Sequence, residues 1–138
     1  MAKLLGIDFG TQRIGLALTD ELMIVGSPWK TVTPKEFWSE IMKYIASENI
    51  QGMVMGVARH RDGSESDTTR LQMEFLQRLR KSFPAMIIHT VDERYTSKLA
   101  TNAIHQLGLS KKKRSDKSLT DMISAALILQ FYIDQKKA

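Results

Sequence analysis

The chain has no cysteine, so neither disulfides nor thiolate metal sites can stabilise it, and a reducing compartment suits it. No apolar run approaches the roughly 18 residues of a membrane span, and Met1 leads straight into a short strand-like segment instead of a secretion signal. A cytoplasmic protein that does not enter a membrane is the expectation. Also missing are a Gly-x-Ser-x-Gly elbow, a His-Glu-x-x-His zinc motif and a Walker loop, so the hydrolase classes built on them lack support.

What is present fits an ordinary folded domain: 138 residues, 43% hydrophobic and 25% charged. That length buries a real core and is short for two domains, so residues 1–138 read as one domain. Lys and Arg outnumber Asp and Glu by 20 to 15, for a formal charge of +5 and an isoelectric point near 9.6. Such a surplus favours a polyanionic partner such as nucleic acid, although many basic proteins bind none.

Lys3 to Gly10 reads as a strand closed by a glycine turn, Arg13 to Thr19 as its hairpin partner, and Met23 to Val32 as a third strand. Thr33-Pro34-Lys35-Glu36 supplies a cap, a proline at the first helical position and a capping-box acid ahead of Phe37, Trp38, Ile41, Met42 and Ile45 at helical spacing. Gly52 to Val57 suits a buried strand. After a polar loop, a second helix opens near Ser64 to Asp67, with Leu71, Phe75, Leu76 and Leu79 on one face. Ala85 to Val91 is a fifth strand, Ser97 to Leu107 a helix, and Leu119 to Asp134 a final helix reached through a basic stretch, Ser110 to Ser118. The order predicts an α/β fold: three antiparallel strands plus a parallel crossover in a mixed five-stranded sheet flanked by helices.

Three acids stand out. Asp8 interrupts an apolar strand, where an ionised carboxylate is costly unless it is paired or binds a cation, or unless it caps the turn that follows. Asp92 and Glu93 follow the fifth strand, at the carboxyl edge where open α/β sheets bind ligands, though adjacent acids are also common in exposed loops. Asp121 lies in the first turn of a helix apolar nearly all round; it either completes a Ser118-x-x-Asp121 capping box or is carried by that helix to the sheet edge. Oxygen ligands without cysteine suit Mg²⁺ or Mn²⁺, and two such ions about 4 Å apart can activate water and stabilise the leaving oxygen of a phosphodiester.

Taken in order, Gly6-Ile-Asp-Phe-Gly-Thr-Gln-Arg-Ile-Gly-Leu-Ala-Leu-Thr-Asp20, Asp92-Glu-Arg-Tyr-Thr-Ser97 and Thr120-Asp-Met-Ile-Ser-Ala-Ala-Leu-Ile-Leu-Gln130 closely resemble the bacterial YqgF family over nearly the whole chain. The resemblance implies a ribonuclease H-like fold related to Holliday-junction resolvases, and a metal-dependent nuclease that trims the precursor of small-subunit ribosomal RNA or, alternatively, resolves branched DNA. It implies that Asp8, Glu93 and Asp121 are the catalytic acids and ligands of Mg²⁺ or Mn²⁺, with ribosomal particles as a further partner. Arg13 and Arg94 match basic positions suited to substrate phosphate. Gln12 stands where a Lys is usual, and Gly56-Val-Ala58 replaces a Gly-Leu-Pro pattern ahead of Asp62-Gly63.

Thr11 and the segment around it also resemble the phosphate loop of actin-like ATPases and sugar kinases, which makes Thr11 a candidate for substrate contact; those enzymes, however, need two such domains. Lys111, Lys112, Lys113 and Arg114 could track a nucleic-acid backbone or form a solvated surface. His60, between Arg59 and Arg61, could orient a phosphate, whereas His89 and His105 read as structural. A fold that binds RNA, a ribosomal or a transcription partner without cutting it is a third reading, and the acid triad speaks against it.

Overall fold

A computed structural model of the chain describes residues 2–58, 67–93, 96–106 and 116–137. Its elements run β1 (Lys3–Phe9), β2 (Ile14–Thr19), β3 (Gly26–Val32), α1 (Pro34–Ser47), β4 (Ile50–Val57), α2 (Asp67–Ser82), β5 (Ile87–Asp92), α3 (Ser97–Gln106) and α4 (Lys117–Lys137). The strands form one five-stranded sheet ordered β3-β2-β1-β4-β5. β1 pairs antiparallel with β2 and β2 with β3, while β1 with β4 and β4 with β5 are parallel, as the sequence order predicts. Among the described residues, no helix is long and apolar enough to cross a membrane.

Strand alternation divides the core between the sheet's two faces. Leu5, Ile7, Leu16, Met53 and Met55 point to one face and are buried with Phe37 and Ile41 of α1 and Phe75, Leu76 and Leu79 of α2. Ala17, Val54 and Val91 point to the other and are buried with Ala125, Ala126, Ile128, Leu129 and Ile133 of α4. α4 crosses β1, β2 and β3 closely enough that a Cβ on Gly6 would stand 2.7 Å from the Ala125 carbonyl. A glycine inside a strand marks such a backbone approach.

The α1 start forms as its sequence predicts: Thr33 Oγ1 accepts from Glu36 N at 3.1 Å and donates to the Glu36 carboxylate at 2.7 Å. Several boundaries differ from the sequence expectation: β4 begins two residues early, at Ile50, α4 runs on to Lys137 past Asp134, and three starts have a visible cause. β3 begins at Gly26 and not at Met23, because the Asp20 carboxylate accepts from the backbone of Ile24 and Val25, and Met23 takes a left-handed φ of 55°. β5 begins at Ile87 because Met86 N donates back to Phe83 O at 3.0 Å, closing a turn through Pro84 and Ala85. α4 begins at Lys117, and its N-terminal amides at Ser118 and Leu119 reach the Asp116 carboxylate at 3.0 and 3.4 Å. Ser118 therefore lies inside the helix, and the Ser118-x-x-Asp121 capping box does not form.

Candidate active site

Two glycines decide where the acids stand. Asp8 is partnered across the antiparallel register by Gly15 of β2; on the parallel side Ile7 lies beside Met55, which makes Gly56 of β4 the neighbour of Asp8. A Cβ on Gly15 would lie 2.1 Å from the Asp121 carbonyl oxygen and 3.0 Å from its Cβ. One on Gly56 would lie 2.8 Å from both Cγ and Oε1 of Glu93, and 2.5 Å from Cδ1 of Ile128. Each strand flanking β1 thus gives up a side chain beside Asp8, and an acid from a distant part of the chain occupies each space.

The backbone holds Glu93 in place from the far side. The amide and hydroxyl of buried Thr96 donate to the Glu93 carbonyl at 3.1 and 3.4 Å, and Ala100 N donates to Thr96 O at 2.9 Å as α3 begins. Asp8, Glu93, Thr96, Ala100, Ser124 and Ile128 line a cavity of about 160 Å³. Ser124 stands one turn beyond Asp121 on α4, so that helix faces the site with two successive polar residues at i and i+3.

The electrostatics follow from burial and crowding. Burial, then the charge of Glu93, then their mutual hydrogen bond and the charge of Asp121, push the Asp8 carboxyl up to about 8. Burial also raises Glu93, helped by the charge of Asp92 and opposed by hydrogen bonds from Asp8 and Gln72. Like charges in low dielectric cannot both ionise freely, so the Asp8–Glu93 pair holds protons more tightly than two separate carboxyls would. Glu93 Oε1 is buried and, among the described residues, has no hydrogen-bond partner. Asp121 is treated differently: Arg13 Nε contacts its Oδ2 at 2.8 Å, in a partly exposed ion pair.

An orphaned carboxylate oxygen facing a second acid is a donor set for a hard cation, and it fits Mg²⁺ or Mn²⁺ better than softer metals. Among the described residues, no three His, Asp or Glu side chains stand ready to ligate one ion. Two acids face each other, and the third is turned to Arg13.

The residues expected from sequence therefore divide into three groups. Asp8, Glu93 and Asp121 are brought together at one edge of the sheet, and Arg13 joins them through Asp121. Thr11 is exposed in the β1–β2 turn, which Gly10 N closes onto Arg13 O at 2.9 Å. Arg94, Lys111, Lys112, Lys113, Arg114 and His60 lie outside the described residues. His89 stacks on Tyr132 with ring centroids 4.5 Å apart, away from the acids, in keeping with a structural part. Sequence reasoning passed over Gly15, Gly56, Gln72, Thr96 and Ser124. For the glycines a signal existed, since glycine within a strand marks close approach; for the others none was visible.

A family model described as RuvX, Holliday junction resolvase, matches residues 2–135. A protein of Phocaeicola vulgatus is 39% identical over 137 residues, covering 99% of this chain and 99% of that one. One of Christiangramia forsetii is 40% identical over 133 residues, covering 96% and 98%. Both carry the name "Putative pre-16S rRNA nuclease". Among solved structures, Thermus thermophilus RuvC bound to a Holliday junction matches with a TM-score of 0.60 at 14% identity, covering 100% of this chain and 98% of that chain. The fowlpox virus resolvase with junction DNA matches with a TM-score of 0.60 at 9% identity, covering 99% of each. At such identities the likeness shows the fold, which is the ribonuclease H-like one expected.

Proposed function

The chain belongs to the RuvX family of Holliday junction resolvases, and on that premise we propose that it is a divalent-cation-dependent nuclease acting on the end of precursor 16S ribosomal RNA. One observation carries the cation dependence: two half-buried carboxyls, Asp8 and Glu93, crowd together, with one buried oxygen unpartnered among the described residues and a third acid beside them. Burying such a pair costs several kcal/mol unless a proton or a cation offsets its charge. Sequence spacing alone gave each acid a bland alternative. The capping alternative for Asp121 is gone, since Asp116 caps that helix and Asp121 meets Arg13.

In this reading Asp8 and Glu93 hold Mg²⁺ or Mn²⁺, and Asp121 completes the set when Arg13 releases it. The cation supplies Lewis-acid activation of water and offsets charge on the scissile phosphate. Arg13, freed from Asp121, has its guanidinium at the mouth of the site, where it clamps a phosphate oxygen through paired N–H donors. Ser124 and the wall formed by Ala100 and Ile128 limit how much water enters. Thr11, Arg94 and the basic run Lys111 to Arg114 orient the strand outside. Residues 1–138 act as one nuclease domain, in the cytoplasm, on RNA within ribosomal particles.

The names of the curated relatives favour RNA, while the family description names junction DNA, so one assay compares both. Purified protein is incubated with labelled precursor ribosomal RNA and with a labelled four-way junction, each with Mn²⁺ or with a chelator. RNA products that need Mn²⁺ and vanish in Asp8→Asn are expected. Symmetric nicks in the junction without RNA cleavage would move the substrate to DNA, and RNA retained without products in any metal would leave a binding module.

A further inference from the structure

The buried face of α2 is apolar at its carboxyl half and polar at its start. Thr69, Gln72, Phe75, Leu76 and Leu79 form the buried stripe, and Leu71, expected on that stripe from sequence, is only half-buried. A glutamine that is 2% exposed needs every polar atom partnered, because an unsatisfied buried amide is costly. Gln72 meets that demand at the carboxyl ends of the strands. Its Oε1 accepts from Ala58 N, just past β4, at 2.7 Å, and its Nε2 donates to Phe9 O, the last residue of β1, at 3.3 Å. The amide also lies close enough to the Glu93 carboxylate, beyond β5, to oppose the upward push that burial gives it.

One side chain therefore bonds both the residue after Asp8 and the residue two beyond Gly56, the glycine that makes room for Glu93. None of these links follows from α2 packing, which Phe75, Leu76 and Leu79 already supply. We propose that Gln72 is a positioning residue of the nuclease site: by clamping the ends of β1 and β4 beside Asp8 and Gly56, it fixes the Glu93 carboxylate opposite Asp8 and so sets the site's affinity for a divalent cation. The inference rests on the cation-dependent reading above, and it concerns Glu93's placement rather than the existence of the site.

The test separates positioning from support of the fold. Gln72→Leu removes the amide at similar volume. Thr69→Val, on the same buried stripe and hydrogen-bonded to the same loop through Ala58 O, is the structural comparison. Mn²⁺ affinity is measured by calorimetry, alongside the thermal midpoint and the kcat and KM for the nucleic acid cut in the assay above. Loss of an outer-shell partner typically weakens metal affinity about 10- to 100-fold, and Gln72→Leu should show that loss with a matching fall in kcat and an unchanged KM. Thr69→Val should lower the midpoint but keep Mn²⁺ affinity within about threefold of the parent. Should Gln72→Leu not fold, Gln72→Asn keeps an amide in place but withdraws it by one methylene, and the same loss is expected. Parent-like Mn²⁺ affinity in a folded Gln72 variant, or affinity lost in Thr69→Val as in Gln72→Leu, overturns the inference. A parent chain that binds no Mn²⁺ overturns the cation-dependent reading itself.

Discussion

Replacing Asp8 by Asn should make the metal-free protein more stable at alkaline pH while abolishing cleavage. A carboxyl whose pKa rises from 3.8 to about 8 on folding holds its proton more tightly in the native state. Its stabilising contribution is complete below the unfolded value and is lost as pH climbs through the folded one, the reverse of a salt-bridged acid. Between about pH 5 and about pH 8 the linkage relation converts this shift into about 4 kcal/mol of lost stability. Glu93, raised by burial as well, changes in the same direction. For a chain of this size the loss lowers the thermal midpoint by on the order of 10 °C. Asparagine keeps the shape of Asp8 but has no proton to lose, so urea denaturation of Asp8→Asn in chelator should give a much flatter pH profile. Mn²⁺ at about 100 times its Kd should restore about 3 kcal/mol to the parent at pH 8 and little to the variant. A parent whose stability is level across that range, or an Asp8→Asn variant stabilised by Mn²⁺ as strongly as the parent, would refute the reasoning.

Gly56→Ala should displace Glu93 and Ile128, whose atoms stand 2.8 and 2.5 Å from the added methyl, lowering stability by about 1–3 kcal/mol in denaturation and cutting activity more than tenfold. Gly15→Ala meets backbone at 2.1 Å and should be worse, shifting the start of α4 and broadening the unfolding transition. Arg13→Gln should change stability by less than about 1 kcal/mol, the usual value of a partly exposed pair, yet tighten Mn²⁺ binding about fivefold, because Asp121 no longer has a competing cation. Calorimetry decides it, and weaker binding would contradict the competition. Glutamine at Lys111, Lys112, Lys113 and Arg114 should weaken nucleic-acid binding while reducing the slope of log affinity against log salt by about one for each lost phosphate contact. An unchanged slope would make that run plain solvated surface.

The layout of the fold was legible because each element carries its own local signal. Thr33, Pro34 and Glu36 announce α1, the apolar run Gly52 to Val57 announces a buried strand, and the three-strand, crossover order leaves few sheet topologies open. The acids were legible individually, since a carboxylate in an apolar strand asks for a partner whichever fold surrounds it. Their partners were not. Gln72 sits in α2 at a spacing that reads as one more polar residue near a helix start, and only the meeting of three strand ends around it makes it buried. The start of α4 failed for a related reason: Asp116 and Ser118 are both good caps two residues apart, and local sequence does not choose between them. The Thr31 hydroxyl on β3, donating to Ser118 O at 2.7 Å, belongs to the tertiary contacts that fix the choice.

The charge arrangement explains why the three acids are not already a ligand shell. Three ionised carboxylates around one cavity repel, and among the described residues Arg13 of the adjoining hairpin is the cation paired with them. The structure meets this in two ways, raising the proton affinity of the Asp8–Glu93 pair and setting one guanidinium on Asp121. On the proposed reading both would be replaced by one event, because a divalent cation among the acids would offset their charge and compete with Arg13 for Asp121. The guanidinium so freed would then be available to a substrate phosphate. The proposed reading thereby links cation uptake and readiness for a phosphodiester through a single side chain, whose position in the β1–β2 hairpin follows from Gly10 N closing the turn onto its carbonyl.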